Sequence, residues 1–254
     1  MNRLARLLLP TLLVATASLA SAETDERTVE KVKAALADPS RPEADRERDG
    51  NRKAVETLSF FGLKDDMTVL ELLPGGGWYT RVLAPVLAER GTYYVSIGTG
   101  SIERGLLTQP GFDKVKVLPF DAITGRDEDG LRMTTRAFGF GVDDVDLVLT
   151  FRNLHNFTES ARAEMNQATF DALKPGGHYG VVDHTRRHMQ YDYYENWRRM
   201  DPVRMIKEIE AVGFEFVDFS DLHYRPDDGL EFEVGRASVT GNTDRFTLLF
   251  RKPE

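Results

Sequence analysis

The chain has 254 residues, a formal net charge of −8 at pH 7 and no cysteine. Without cysteine it has no disulfides, no thiolate metal sites and no cysteine nucleophile. The acidic balance disfavours nucleic acids and anionic membrane surfaces as partners. A chain of this size buries enough apolar surface for one large domain, which we expect to be stable without cross-links.

The N-terminal residues have the pattern of a signal peptide. Arg3 and Arg6 precede an apolar run over residues 7–19, and the small residues Ala-Ser-Ala at 20–22 form a cleavage site. The apolar run is short for a membrane-spanning helix, which needs about 20 apolar residues. The pattern predicts cleavage after Ala22, a periplasmic or secreted chain, and no membrane insertion after cleavage. An uncleaved N-terminal anchor is the alternative.

Residues 23–50 have the composition of a charged, helical N-terminal extension. Apolar residues recur at helical spacing over residues 27–37, and the Pro-Ser-Arg-Pro run at 39–42 interrupts this helix. A second helix is predicted over residues 51–61. It leads into a domain that we expect to span residues 51–254.

Seven short apolar runs in this domain predict the strands of a sheet. The first five are rich in Val and Leu and are separated by helical or loop stretches, which is typical of a mainly parallel sheet with helices on both faces. Asp201 and Pro202 mark the start of a helix before the sixth run, and Gly213 marks its end. The runs are residues 67–72, 92–97, 115–119, 146–151, 179–183, 214–219 and 246–250.

The most informative segment is residues 67–80, in which a strand ends in a glycine-rich turn. Its sequence is MTVLELLPGGGWYT, so Gly75, Gly76 and Gly77 follow the strand closely. Glycines at such a turn let the backbone approach a ligand at the sheet edge where α/β folds bind ligands. A dinucleotide fingerprint needs a small residue where Thr80 stands, which disfavours a nicotinamide cofactor.

This segment resembles motif I of class I S-adenosylmethionine-dependent methyltransferases, an acidic residue followed by a glycine-rich turn. Residues 173–177 (LKPGG) are similar to the turn before strand five of that family. The resemblance implies the Rossmann-like class I methyltransferase fold, an α/β fold with a mainly parallel seven-stranded sheet. Its last strand is antiparallel and is inserted beside the sixth. The turn PGGGWYT looks closest to an uncharacterised subgroup of exported bacterial predicted methyltransferases.

The resemblance also implies S-adenosylmethionine as the cofactor, together with its contacts. The family's acidic residue, which helps place the methionine portion, is matched by Glu71. The family's first glycine is replaced by Leu73, and no carboxylate ends the second run, so Ser96 or Thr99 would have to hold the ribose. Asp121 stands where the family often has an acidic residue near the adenine, although a carboxylate there is also a common helix cap. The implied cofactor-binding residues are Glu71, Pro74, Gly75, Gly76, Gly77, Asp121 and Ala122.

Polar residues after the fourth and fifth runs are the candidates for catalysis. His155 is the first candidate for a general base, because an imidazole titrates near neutral pH. His184 has a similar claim, with Asp183 available to orient a ring. Asn153 is a candidate for binding the cofactor or the acceptor, and Arg152 for receiving an anionic acceptor. Each residue also has a purely structural interpretation. The histidines would bond a loop carbonyl, Asn153 would cap a turn, and Arg152 would form a salt bridge with a nearby carboxylate.

A metal site is the weaker interpretation of the same residues. On a helix His184 and His188 would share one face beside Asp183, but the spacing specifies no further ligand. We therefore predict no metal site.

The pattern as a whole favours a methyltransferase acting on a small-molecule acceptor. The alternative is an exported, non-catalytic ligand-binding protein that retains the fold, which the missing carboxylate after the second run favours. A nicotinamide-dependent reductase is a third and weaker interpretation. The site has to decide among them, since a fold alone does not.

Overall fold

The structure, a computed structural model, describes residues 26–254, so the signal-peptide pattern lies outside the described residues. The helices are α1 (Glu26–Leu36), α2 (Glu43–Arg46), α3 (Asp49–Arg52), α4 (Ala54–Phe60), α5 (Thr80–Leu87), α6 (Gly100–Glu103), α7 (Glu159–Ala172) and α8 (Pro202–Glu210), with 3-10 turns at Leu106–Thr108 and Leu154–Asn156. The strands are β1 (Thr68–Leu72), β2 (Thr92–Ser96), β3 (Lys116–Val117), β4 (Ile123–Arg126), β5 (Met133–Thr135), β6 (Val145–Phe151), β7 (Leu173–His184), β8 (Glu215–Ser220) and β9 (Arg245–Arg251). Within residues 26–254 no helix has the length and apolarity that crossing a membrane requires.

Seven of the strands form one sheet in the order β3-β2-β1-β6-β7-β9-β8. The pairs from β3 to β7 are parallel, whereas β9 lies antiparallel between β7 and β8. This arrangement confirms the predicted sheet, including the inserted antiparallel last strand. The strand order reverses between β1 and β6, and in such folds the crevice at that reversal is where ligands bind.

The fifth predicted strand begins earlier than expected. Residues 173–177, which the sequence analysis assigned to a turn, belong to β7. The amide of Gly176 donates to the carbonyl of Lys252, and the amide of Lys252 donates to the carbonyl of Gly177, each over 2.9 Å. These bonds extend the ladder past the predicted start of the strand.

A two-stranded antiparallel sheet, β4 with β5, was not predicted. Its strands are polar and lie at the surface, so they lack the apolar alternation from which strands are predicted. Its turn is closed by the Asp127 carboxylate, which accepts from the amides of Leu131 (2.8 Å) and Arg132 (3.0 Å).

Helices cover both faces of the large sheet, as predicted. Each strand directs alternate side chains to opposite faces, which creates two apolar cores. One core joins α1, α4 and α5 to residues such as Val69, Leu147 and Leu149. The other joins α7 and α8 to residues such as Leu70, Leu72 and Val148.

The charged N-terminal extension is ordered by a buried carboxylate. The Asp65 side chain is 1% exposed and lies 3.0 Å from Arg27 Nε, 2.8 Å from Lys31 Nζ and 3.2 Å from Arg90 Nη1. The apolar face of α1 packs into the first core, where Val32 is buried. The domain boundary at residue 51 stays a prediction.

The predicted start of α8 is confirmed. Asp201 Oδ1 accepts from the amide of Val203 over 2.9 Å, and Pro202 is the first helical residue. The helix ends before Gly213, whose φ of 109° lies in the region that favours glycine.

The close packing at Gly180 gives a test of this fold. A Cβ at Gly180 would lie 2.7–2.8 Å from ring carbons of the buried Phe61. We expect Gly180→Ala to lower the free energy of unfolding by about 1–3 kcal/mol, because the core has no room for the methyl group. Urea unfolding measures this change. As control, Gly139→Ala adds a methyl group to open space and should change stability by less than about 0.5 kcal/mol. Equal losses in both variants would contradict the packing.

Candidate functional site

A cleft of about 230 Å³ opens at the carboxyl ends of β1 and β6, where the strand order reverses. Three parts of the chain form it: the short helices α2 and α3, the turn after β1, and the turn after β6. The lining residues are Asp45, Arg48, Arg52, Glu71, Leu73, Pro74, Gly75, Gly76, Trp78, Tyr79, Phe151, Arg152 and Asn153. The position matches the ligand crevice of doubly wound folds.

The glycines of the turn after β1 serve different purposes. Gly75 (φ 58°) and Gly77 (φ 80°) adopt the left-handed conformation, and a Cβ at Gly77 would lie 2.5 Å from Leu106 Cδ2. Gly76 does not adopt that conformation, and a Cβ there would meet no atom within 4 Å. Neither backbone geometry nor packing therefore requires Gly76. Gly76 is exposed and lines the cleft with its backbone.

Leu73, at the position of the family's first glycine, keeps a glycine-like backbone. Its φ is 53°, a conformation that costs an L-residue about 1–2 kcal/mol. Two hydrogen bonds hold it: the Leu73 amide donates to Ser96 O (2.9 Å), and Asn153 Nδ2 donates to Leu73 O (3.1 Å). Asn153 thus positions the turn as well as lining the cleft.

Glu71 is buried at the base of the cleft. Its Oε2 accepts from Thr80 Oγ1 (2.9 Å) and from the hydroxyl of Tyr93. Burial raises the pKa of Glu71 from 4.5 to about 7, against the opposing effects of those hydrogen bonds and of the Arg52 charge. Near neutral pH the carboxyl group is therefore present in both its neutral and its charged form.

The catalytic candidates other than Asn153 form one buried cluster behind the cleft. Asp183 Oδ1 lies 2.6 Å from His155 Nδ1, and Asp183 Oδ2 accepts from the His155 amide over 3.2 Å. His184 Nδ1 instead lies 2.9 Å from the hydroxyl of Thr243. Burial, and then the charges of His155 and Arg152, holds the pKa of His184 well below 6.5. His155 is therefore the ring that Asp183 orients, and His184 is a weak base.

Three of the residues assigned to the cofactor do not line the cleft. Gly77 packs on Leu106 as described. The Asp121 side chain is 92% exposed and pairs with Arg136 over 2.8 Å, while Ala122 is fully buried. Their cofactor contacts stay predictions.

The two hydroxyl groups proposed for the ribose also differ in placement. Ser96 Oγ donates to Leu118 O (3.3 Å) inside the sheet. Thr99, the partly exposed residue before α6, donates from Oγ1 to the carboxylate of Glu103 over 2.5 Å. Of the two, Thr99 is the more exposed residue, and the carboxylate of Glu103 lies beside it.

The residues considered as metal ligands do not lie on a helix. His184 ends β7, whereas His188 lies in the turn that follows and contacts Asp201 over 2.9 Å. Among the described residues no group of three or more histidines and carboxylates forms a metal site.

Comparison with known proteins identifies the fold. No family model matches the chain, and no curated protein matches it. Among solved structures, a SAM-dependent methyltransferase from Aquifex aeolicus is 18% identical, with a TM-score of 0.54 over 88% of this chain and 97% of that chain. The glycopeptide N-methyltransferase MtfA, complexed with sinefungin, is 14% identical, with a TM-score of 0.53 over 81% and 87%. This chain has the class I methyltransferase fold. The [4+2]-cyclase SpnF, 15% identical with a TM-score of 0.54 over 89% and 93%, is also similar.

The site of this methyltransferase-fold protein includes residues that the sequence analysis missed. Arg48 and Arg52 come from the N-terminal helices, and Trp78 and Tyr79 follow the glycine turn. Arg52 Cζ lies 4.6 Å from the ring centre of Trp78 and 5.3 Å from that of Tyr79. A charged residue in a charged helix carries no local sign of burial, so only the fold reveals these arginines.

Glu71 predicts a specific pH dependence of stability. Because its pKa is raised to about 7, the folded chain binds this proton more tightly than the unfolded chain, whose pKa is near 4.5. Stability is therefore lost as pH rises from 4.5 to 7, by up to about 3 kcal/mol. Glu71→Gln should remove this loss. The unfolding free energy of the variant, relative to that of the unmodified chain, should therefore increase as pH rises.

Urea unfolding at pH 5 to 8 tests this expectation. The buried His184 contributes to the pH dependence of both proteins and cancels in their difference. Glu128→Gln, at the exposed hairpin turn, is the matched control and should follow the unmodified chain. Parallel curves for the Glu71 variant and the unmodified chain would show that Glu71 is ordinarily ionised.

Proposed function

We propose that the protein is an S-adenosylmethionine-dependent methyltransferase acting on a small-molecule acceptor. The observation that supports this most directly is the turn after β1, where Gly76 keeps open space against the backbone at the point of strand reversal. Because Gly76 lines the cleft and neither φ nor packing requires a glycine there, its small size suits close approach of a ligand to the backbone.

The residues of the cleft fit this cofactor. The turn backbone at residues 73–76 would hold its methionine portion beside Glu71, and Asn153 would keep that turn in place. When bound, the cofactor supplies a methyl group on a positively charged sulfur for in-line displacement. The chain's own task is then to align the acceptor and to receive its proton.

We propose His155, which lies buried behind the cleft lining, as the proton acceptor. Its Nδ1 is engaged by Asp183, which leaves Nε2 to take a proton and places a negative charge where an imidazolium would form. His184 is a poorer base, since its pKa is held well below 6.5. We assign it to holding the segment before β9 in place through Thr243.

We also propose export and membership of the exported predicted-methyltransferase subgroup. Export rests on the basic, apolar and small-residue pattern of residues 3–22, and the subgroup rests on the PGGGWYT turn. Both go beyond the shared fold.

Calorimetric titration tests the cofactor. S-adenosylmethionine and its demethylated product should bind the folded chain, and Gly76→Val should weaken both by about tenfold or more because its side chain would fill the cleft. Gly139→Val, which adds the same side chain at an exposed position away from the cleft, should bind as the unmodified chain does. Absence of binding by a folded, unmodified chain would refute the proposal.

Mass spectrometry of cell fractions tests the export. Expressed with its full sequence in a bacterium with two membranes, the protein should appear in the periplasmic fraction with Glu23 as its first residue. A chain lacking residues 2–22 should stay in the cytoplasm. Recovery of the full-length chain in the membrane fraction would instead support the uncleaved anchor.

A further inference from the structure

Four buried arginines away from the cleft are each matched by a carboxylate. Arg199 forms two bonds with Asp228, at 2.9 and 3.0 Å. Arg162 forms two with Glu208, at 2.6 and 2.8 Å. Arg41 pairs likewise with Asp49, and Arg186 with Asp192. The fold thus pairs guanidinium groups that it removes from water, as the cost of burying a charge requires.

Arg52 is an exception, and it lines the cleft. It is 6% exposed, yet no carboxylate of the described residues lies within ion-pair distance, and its Nε has no hydrogen-bond partner among them. The ring faces of Trp78 and Tyr79 stabilise a cation but do not neutralise it. A buried charge therefore faces the cleft without an ion-pair partner among the described residues, although its charge acts on the nearby Glu71.

Two further arginines in or near the cleft also form no ion pair with a described residue. Arg152 lines the cleft from the turn after β6 and forms no ion pair with a described residue. Arg245 is 6% exposed, and its side chain donates to Asn51 O (2.9 Å), while its Nε has no partner within residues 26–254. Burial, and then the charge of Arg152, lowers the pKa of Arg52 to about 9 and that of Arg245 to about 10. Both groups remain cationic at neutral pH, and they lie close enough to repel each other.

The neighbouring carboxyl groups are already engaged. Asp45 lies 3.2 Å from Arg81 and 3.6 Å from Arg48, and Asp183 is held by His155. Glu71 is partly neutral near pH 7 and accepts hydrogen bonds from the sheet side. The cleft therefore has an excess of positive charge.

We propose that Arg52 and Arg152, with Arg48 at the cleft mouth and Arg245 behind, form a subsite for a carboxylate of the methyl acceptor. The proposal rests on the methyltransferase function, and it specifies the acceptor as an anion. The planar fork of a guanidinium matches a carboxylate with two parallel hydrogen bonds. Such an anion supplies the missing counter-charge and also screens the arginines from the positive sulfur of the cofactor.

The carboxylate of the cofactor's own amino-acid end is the other source of this chemistry. Two matched pairs of probes separate the sources by calorimetric titration at low ionic strength. S-adenosylhomocysteine carries the amino-acid carboxylate, and 5′-methylthioadenosine lacks it. Benzoate carries a carboxylate, and benzamide is its neutral counterpart.

We expect benzoate, and not benzamide, to bind protein saturated with S-adenosylhomocysteine. Arg152→Gln should lower the affinity for benzoate by about tenfold or more, and the affinity for S-adenosylhomocysteine by less than about threefold. Arg48→Gln should weaken benzoate to a smaller extent, and because the Arg48 side chain is 46% exposed its loss should leave folding intact. Arg126→Gln, in the exposed hairpin, is the charge-matched control and should change neither affinity. Circular dichroism confirms that each variant is folded.

Two results would overturn the acceptor subsite. One is the absence of benzoate binding to the unmodified protein. The other is loss of S-adenosylhomocysteine binding in Arg152→Gln with unchanged methylthioadenosine binding, which would assign the arginines to the cofactor. Binding of benzoate without binding of either adenosine ligand would refute the methyltransferase function while leaving an anion site, so the two failures are distinguishable.

Discussion

The backbone of Leu73 is the point on which the site depends. Its amide bonds to Ser96 at the end of β2, and its carbonyl receives the side chain of Asn153 from the turn after β6. These two bonds join three strands where the sheet order reverses and hold a left-handed residue in place without glycine. The direction in which the chain leaves β1 follows from them. That direction sets Gly76 against open space and leaves Glu71 beneath the turn.

The N-terminal helices complete this site rather than merely preceding it. Arg27 and Lys31 of α1 form ion pairs with the buried Asp65, which precedes β1 at the end opposite the cleft. The chain after α1 then places α2 and α3 at the cleft. Arg52 is held between the ring of Trp78 and the cleft, and its carbonyl accepts from the hydroxyl of Tyr79 over 3.3 Å. Helix α3 and the residue before it thus bring the positive charges of Arg48 and Arg52 to a glycine turn without charged residues.

The sequence predicted those elements whose burial leaves a local pattern of apolar residues. The buried strands are apolar, and the exposed edge strands β3 and β8 still lie in short apolar runs, so all seven strands of the large sheet were found. The glycine turn was found because its residues are contiguous. The exposed hairpin β4–β5 has no such pattern and was missed. Arg52 and Arg152 were unpredictable as a pair, because their proximity is created by the fold and neither has a local sign of it. The ring oriented by Asp183 was likewise decided by packing, in favour of His155.

The charges of the cleft couple its two proposed ligands. A cationic donor placed beside unpaired arginines meets repulsion, while an anion placed on them meets attraction and removes that repulsion. Each ligand would then raise the affinity of the other by the same factor, because coupling free energies are reciprocal. Glu71 adds a pH-dependent part, since its ionisation near pH 7 supplies negative charge at the base of the cleft, where it also interacts with the Arg52 charge. A cleft with this charge distribution binds the cationic cofactor and the anionic acceptor together more tightly than it binds either ligand alone. Methyl transfer between the two requires that both are bound at once.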